Sequence, residues 1–115
     1  MVEADSPTVQ KMPRASLVAL PKRLDGSNAP SVQQSLERDL GADLSNVILD
    51  CSGTEFLSSA GVRVLVTLAR RVKQAGGRLR ACSLRPTVRQ VFDFSGITTV
   101  IAIHQDLAAA TVGCE

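Results

Sequence analysis

The sequence predicts an α/β fold: one domain built on a mostly parallel sheet of about five strands, with an antiparallel first strand and four helices largely on one face. Length supports a single domain, because 115 residues suffice for about one folded unit. Composition supports a packed core, since 44% of the residues are hydrophobic and 21% are charged. Apolar runs of strand length alternate along the chain with runs of helical periodicity. Such alternation favours parallel strands joined by right-handed crossovers.

The beginning of the chain predicts a tail and two strands. Residues 1–7 are small, polar and acidic, so we expect a flexible tail followed by a domain at residues 8–115. Short β-prone runs at Thr8–Met12 and Ser16–Leu20 are separated by Pro13-Arg14-Ala15, a turn-like break. These two runs are the first predicted strands.

The first predicted helix follows a polar loop at Leu24–Pro30. Ser27 or Asn28 is the predicted N-cap, and Pro30 falls in the first turn, where its missing N–H leaves no helical bond unmade. A single apolar stripe then recurs at helical spacing, at Val32, Leu36 and Leu40. Gly41 ends this helix.

The centre of the chain predicts a buried strand and a long helix. Asn46–Cys51 is an apolar run of strand length, typical of a central strand. Phe56–Gly61 then leads into a helix that extends to about Gln74. The apolar face of that helix contains Val62, Leu65, Val66, Ala69 and Val72. Gly76-Gly77 predicts its end, because glycine adopts the left-handed conformation without a side-chain clash.

The remaining segments complete the predicted order of elements. In the strand Arg78–Ser83, Leu79 and Ala81 alternate with arginines. This alternation indicates one packed face, with the face of Arg80 and Cys82 open to water. The last predicted elements are a helix from near Pro86 to Gly96, a strand at Val100–Ile103 and a short helix at Asp106–Val112.

Composition excludes several classes of functional site. With three Phe, no Tyr, no Trp and one His, the chain offers neither a histidine-rich metal site nor an aromatic platform for stacking bases. Its three cysteines lack CxxC spacing, and Cys51 and Cys82 lie in apolar runs typical of buried thiols. A net charge of +2 is too mild to indicate nucleic acid. We therefore predict no cofactor, no metal and no nucleic-acid partner.

The sequence also contains features that bear on the cellular location of the protein. No signal-like N-terminus is visible, and no apolar run approaches the ~20 residues of a membrane span. We expect a cytoplasmic protein without membrane insertion, either a monomer or a weak dimer.

Basic residues are unevenly distributed along the chain. No acidic residue lies between Glu55 and Asp93. The basic residues in that stretch are Arg63, Arg70, Arg71, Lys73, Arg78, Arg80, Arg85 and Arg89. Arg63, Arg70 and Arg71 share the polar face of the central helix. That face is either a solvated surface or a docking face for an acidic partner.

Two loops are candidates for function, because ligands of parallel sheets gather where strands end and helices begin. One is Leu24–Pro30, which contains Asp25, and the other is Phe56–Gly61. Since both loops follow strands, we expect them to lie at the same edge of the sheet.

The serines of the second loop allow three interpretations. A nucleophile elbow requires G-x-S-x-G, which the flanking Leu57 and Gly61 do not provide, and a triad would depend on His104, the single histidine. From spacing alone, helix capping by Ser58 or Ser59 is the favoured explanation, and such a cap contributes about 1 kcal/mol. Phosphorylation is the third possibility, because a helix N-terminus accommodates a phosphate.

The run VILDCSGTEFLSSAG, at Val47–Gly61, resembles the core of the STAS domain, the family of bacterial anti-sigma factor antagonists. The resemblance extends through the following helix and Gly76-Gly77 to PTVRQVFDFSG at Pro86–Gly96, and it includes Leu24-Asp25. In order and spacing it covers nearly everything from Thr8 to the end of the chain. It implies a partner-switching regulator without catalysis of its own.

The resemblance also implies partners and a phosphorylation site. In members of that family, the serine that matches Ser59 is phosphorylated by an anti-sigma factor that is also a serine kinase. A PP2C-like, metal-dependent serine phosphatase then removes the phosphate. Asp25 matches an acidic residue near the kinase interface, although as a turn residue it could equally stabilise its own loop. The residues expected to bind the partner are Asp25, Ser27, Asn28, Ser58, Ser59, Ala60, Gly61 and Arg63.

The sequence departs from the family pattern next to the phosphorylation site. Ser58 occupies a position that is often aspartate, and Ala60 one where a second serine is common. Ser58 is therefore an alternative phosphate acceptor. The departure also leaves open a second function, that of a non-phosphorylated adaptor subunit in a transporter, lipid-handling or signalling complex.

Overall fold

The computed structural model describes residues 6–112, which form seven strands and four α-helices. The strands are β1 (Thr8–Lys11), β2 (Ser16–Ala19), β3 (Arg23–Leu24), β4 (Asn46–Asp50), β5 (Phe56–Leu57), β6 (Arg78–Cys82) and β7 (Ala102–His104). The helices are α1 (Ala29–Leu40), α2 (Ser59–Gln74), α3 (Pro86–Ser95) and α4 (Leu107–Ala110). Residues 1–5 of the predicted tail and residues 113–115, with Cys114, lie outside the described residues.

The main sheet has five strands in the order β1-β2-β4-β6-β7. β1 pairs antiparallel with β2, and the other three pairings are parallel. The predicted fold class is therefore confirmed, including its antiparallel first strand. Buried aliphatic residues from β4 lie at the centre of this sheet, as expected for a strand with neighbours on both sides.

Three helices cover one face of the main sheet and make the larger core. Val18, Val47 and Leu49 point from the strands into this core, and the largest fully buried side chain there is Phe92 of α3. The buried stripe of α1 is the predicted one, at Val32, Leu36 and Leu40. The helices thus lie largely on one face, as the sequence predicts.

The opposite face is not open to water, which corrects the prediction for Arg80 and Cys82. Arg80 retains only 6% of its surface and Cys82 none, because α4 packs across β6 on this side. Cys82 joins a smaller cluster with Ala15, Ile48 and Ala110. Alternation of charged and apolar residues in β6 thus reflects two covered faces, one of which accommodates an arginine.

The last strand begins later than predicted. Gly96 ends α3 with a φ of +76°, in the left-handed region that glycine favours, and a 3-10 turn follows at Ile97–Thr99. The N–H groups of Val100 and Ile101 both donate to the carbonyl of Ile97, so these residues complete a turn instead of pairing with β6. The predicted bounds of the last strand, Val100–Ile103, are therefore wrong, because β7 begins two residues later and occupies Ala102–His104.

Two very short strands, β3 and β5, were not predicted. They form a separate parallel pair beyond the main sheet, in which Arg23 is opposite Phe56 and Leu24 is opposite Leu57. Each follows a main-sheet strand along the chain, β3 after β2 and β5 after β4. This small pair positions the candidate functional site.

Candidate functional site

The two candidate loops meet, as predicted, and the β3–β5 pair joins them. The N–H of Ser58 donates to the carbonyl oxygen of Leu24 at 3.0 Å, and the N–H of Glu55 donates to that of Lys22 at 2.8 Å. Across this pair, the Arg23 guanidinium lies over the ring of Phe56, 5.6 Å from its centroid. Backbone and side-chain contacts therefore hold the two loops in a fixed relation.

Gly61 permits this close approach. A Cβ atom at Gly61 would lie 2.6 Å from the Leu24 carbonyl oxygen and 2.6 Å from Leu57 Cδ1. The leucine methyl could rotate away, but the carbonyl belongs to β3 and already accepts the bond from Ser58. The first turn of α2 therefore sits directly on β3, at a separation that only glycine allows.

The two adjacent serines have different surroundings. Ser58 is the N-cap of α2, and its half-buried Oγ accepts a bond from the N–H of Gly61 at 3.4 Å. Ser59 is the first residue of the helix and is exposed, and its Oγ makes no hydrogen bond within residues 6–112. The capping interpretation therefore applies to Ser58, and the hydroxyl that remains accessible is that of Ser59.

The first loop is organised around Asp25. One of its carboxylate oxygens, Oδ1, accepts bonds from the N–H of Ser27 at 2.9 Å and from the hydroxyl of the same residue, while Oδ2 forms an ion pair with Arg23 at 3.1 Å. The bonds from Ser27, followed by the charge of Arg23, lower the pKa of Asp25 below its usual value of 3.8. Asp25 thus stabilises its own loop, one of the two roles considered from the sequence.

The predicted side-chain cap of α1 is absent, and the residue involved has another role. Asn28 occupies the N-cap position without a capping bond. Its Oδ1 instead accepts a bond from the N–H of Asp25 at 2.9 Å, and its Nδ2 donates to the carbonyl of Arg23 at 2.7 Å. Asn28 is consequently buried and bridges the base of the loop.

The residues expected to bind a partner differ in accessibility. Ser27, Ser59 and Arg63 are exposed, whereas Asn28 and Gly61 are buried. The remaining three are half-buried: Asp25, Ser58 and Ala60. The accessible part of the site is therefore a surface around the first turn of α2, supported by buried residues beneath it.

A groove beside Ser59 was missed by the sequence reasoning. It has a volume of about 570 Å³ between the start of α2 and the end of α3. Its lining residues are Leu57, Ser59, Val62, Arg63, Gln90, Val91, Phe94 and Ser95. Phe94 is 93% exposed, whereas Phe92 is fully buried. Val88 and Phe92 are four residues apart and form the buried stripe of α3, whereas Phe94 does not follow that spacing. This departure was the sequence feature that could have indicated an exposed Phe94.

The basic stretch of the chain does not form one patch. Arg80 is buried behind the sheet, Arg85 donates to the carbonyl of Ser52 at 2.9 Å, and Arg89 pairs with Asp93 at 3.2 Å. Arg63, by contrast, has no ion-pair or hydrogen-bond partner within the described part of the chain. The cation available at the site is therefore Arg63.

A Ser-His arrangement is not assembled at this site. His104 ends β7 opposite Cys82, on the face covered by α4, whereas Ser59 begins a helix on the other face. The buried cysteines are no better placed for chemistry, since burial raises the pKa of the Cys51 thiol to about 12.

Residues 6–112 contain no cluster of three or more potential metal ligands. No helix within the same residues is long and apolar enough to cross a membrane.

Comparisons with known proteins agree with this architecture. The family model of the STAS domain matches residues 6–110. A Bordetella bronchiseptica protein named as an anti-sigma factor antagonist, BtrV, is 29% identical over 103 residues, which is 90% of this chain and 89% of the relative. A solved anti-sigma factor antagonist (STAS) domain protein from Planctomyces limnophilus superposes with a TM-score of 0.84 at 21% identity, over 96% of this chain and 98% of the other.

A further solved structure is that of the Bacillus cell fate determinant SpoIIAA in its phosphorylated form. It superposes with a TM-score of 0.66 at 23% identity and covers 90% of this chain and 95% of its own. At this level of identity the likeness is one of fold.

Proposed function

This chain belongs to the STAS domain family, and from that premise we propose that it is an anti-sigma factor antagonist that switches partners through phosphorylation of Ser59. The unphosphorylated form binds an anti-sigma factor with serine kinase activity and thereby frees that factor's client. The kinase transfers the γ-phosphoryl group of ATP to Ser59 Oγ, the hydroxyl proton is lost, and ADP leaves. The phosphorylated chain then dissociates from its partner.

The observation that carries the proposal is the contrast between Ser58 and Ser59. Ser58 Oγ is engaged in capping α2, whereas Ser59 Oγ is exposed and unbonded within the described residues. A kinase must reach an oxygen that is free to attack phosphorus, so we assign the acceptor to Ser59. The names of the relatives support a phosphorylation switch in general, because BtrV is named as an anti-sigma factor antagonist and SpoIIAA has been solved in a phosphorylated form.

Phosphorylation at this exposed position changes the surface strongly. A phosphate adds about −1.5 to −2 charges and three acceptor oxygens. Next to the first turn of α2, the helix dipole and its free N–H groups stabilise that charge. A partner that docks around Ser59 would therefore encounter a larger, negatively charged group at this point of the surface.

The remaining parts of the proposal follow from this cycle. A PP2C-like serine phosphatase hydrolyses the phosphoserine with water, releases inorganic phosphate and restores the binding form. The chain itself is a substrate and ligand of other enzymes and catalyses no step. We place the cycle in the cytoplasm, where transcription is regulated.

Phosphosite mapping in the cells that produce the chain tests the proposal. The tagged protein is isolated with its bound partners, and its tryptic peptides are analysed by mass spectrometry before and after phosphatase treatment. We expect phosphate on Ser59 and co-purification of an ATP-binding kinase. Phosphate on Ser58 alone would move the acceptor by one residue and contradict the assignment.

Binding of variants to the purified kinase tests the switch itself. Ser59→Ala should bind constitutively, and Ser59→Asp should bind at least tenfold more weakly, since it places a charge at the same point. Equal affinity of both variants would contradict switching. Co-purification of an unphosphorylated chain with a transporter or lipid-handling complex, and no kinase, would instead support the adaptor function.

A further inference from the structure

We propose that the groove between α2 and α3 is the docking surface for an acidic, apolar segment of the anti-sigma partner, and that Arg63 binds a carboxylate of that segment. The inference rests on the proposed function and assigns the partner's chemistry at the same site. It also identifies the step that phosphorylation blocks, because the phosphate of Ser59 competes with the partner for Arg63.

The groove is apolar where a partner side chain would enter it. Leu57, Val62 and Val91 line it, and Phe94 also contributes while remaining 93% exposed. An exposed aromatic beside an apolar concavity offers surface that a partner side chain can bury. Buried aromatic residues also supply a large share of interface energy. An aliphatic or aromatic partner side chain therefore fits this groove.

Charge selects an acidic segment. Arg63 is the only charged residue among those lining the groove, and its guanidinium is unpaired within residues 6–112. The other polar lining residues, Ser59, Gln90 and Ser95, are neutral. A carboxylate next to the inserted apolar side chain would pair with Arg63, whereas a basic segment would be repelled by it.

The position of Arg63 couples docking to phosphorylation. Ser59 and Arg63 are four residues apart on α2, a spacing at which side chains on a helix are neighbours, and both line the groove. A phosphate on Ser59 can therefore pair with Arg63 within the chain. The same guanidinium then receives the partner's carboxylate in one state and the chain's own phosphate in the other. Repulsion between the phosphate and the partner's acidic residues adds to the effect.

Affinity measurements with matched variants test the docking surface. The binding partner is the purified kinase identified by co-purification, and its dissociation constant is measured by calorimetry. We expect Arg63→Gln and Phe94→Ala each to weaken binding by about tenfold or more. The controls are Arg70→Gln, an exposed cation two turns further along α2, and Val100→Ala, an exposed apolar residue outside the groove. Both controls should bind within about twofold of the original chain.

A second measurement needs no partner. Phosphoserine is incorporated at position 59 during translation, and its phosphorus signal is followed by NMR through the second ionisation, near pH 6. An adjacent guanidinium favours the dianion, so the phosphate pKa should be lower in the chain with Arg63 than in Arg63→Gln. Arg70→Gln should leave the phosphate pKa unchanged. Equal phosphate pKa values with and without Arg63 would overturn the competition.

The outcomes separate this inference from the function on which it rests. A chain whose Ser59→Asp variant loses the kinase, but whose Arg63→Gln and Phe94→Ala variants bind normally, would retain the proposed function and overturn the groove. A chain that acquires no phosphate and binds no kinase would overturn the proposed function itself. Selective loss of binding in the two groove variants, with the controls intact, supports both.

Discussion

The site has a packed base and an open surface, and the two are built differently. In the base, Leu24 and Leu57 are buried, Gly61 allows backbone contact, and Ser58 takes part in three hydrogen bonds, through its N–H, its carbonyl oxygen and its Oγ. On the surface, Ser59 and Arg63 are exposed and have no partner within the described residues. The residues that stabilise the fold are thus separate from those proposed to bind a partner. Variants of the base should lower the free energy of unfolding, and variants of the surface should alter binding alone.

The two phenylalanines of α3 give the sharpest test of that separation. Phe92→Ala should lower the free energy of unfolding by about 3–5 kcal/mol, because it leaves a cavity in the main core. Phe94→Ala should change it by less than about 0.5 kcal/mol, since its side chain is almost wholly exposed. Urea unfolding of both variants measures the difference. Similar losses in the two variants would contradict the separation of base from surface.

Gly61→Ala should have the next largest effect. Alanine normally favours a helix over glycine by about 0.5–1 kcal/mol, but here its Cβ would overlap the Leu24 carbonyl. We expect a net loss of about 1–3 kcal/mol in the free energy of unfolding. Gly53→Ala is the matched control, because its Cβ would meet nothing within 4 Å. A stabilised Gly61→Ala variant would show that β3 and α2 are not in close contact.

The adjacent serines provide a smaller contrast. Ser58→Ala removes the cap of α2 and should cost about 1 kcal/mol of unfolding free energy. Ser59→Ala should leave the free energy of unfolding within about 0.5 kcal/mol of the original, while abolishing phosphorylation. Thermal unfolding and intact-mass analysis after kinase treatment measure the two properties on the same samples. A phosphorylated Ser59→Ala variant would place the acceptor on the capping residue.

The smallest expected effect concerns Asp25 and acid. Its pKa is lower in the folded chain than its usual 3.8, so its contribution to stability is complete above that value and is lost as the pH falls below it. Asp25→Asn should therefore be slightly less stable than the original chain at pH 7, and the difference should narrow as the pH is lowered below 3.8 toward 2. Unfolding curves across that range measure the convergence. A difference that persists unchanged at pH 2 would contradict an ionic contribution from this loop.

The sequence was most informative where periodicity is strong. The stripe of α1 and the central strand β4 follow from spacing, and Ser58 or Ser59 as the cap follows from residue type. The predicted apolar face of α2 was only partly correct, because it missed the buried Val64 and Leu68 and included the half-buried Val62 and Val66. Two-residue strands have no periodicity, so the β3–β5 pair could not be found. Arg80 was misplaced because its burial depends on α4, which is distant in sequence and packs on β6. The groove combines residues of α2, β5 and α3, and no local pattern predicts it.

The β3–β5 pair has a consequence for what a kinase can recognise. Its partners, Leu24 and Leu57, are 33 positions apart in the chain, so the surface around Ser59 exists only after long-range folding. A short peptide containing Ser59 has the acceptor hydroxyl without the strand beneath it. Under the proposed function, an unfolded chain would thus be a poorer substrate for the kinase than the folded one. Phosphorylation of Ser59 would, under that function, depend on the pairing of these two short strands.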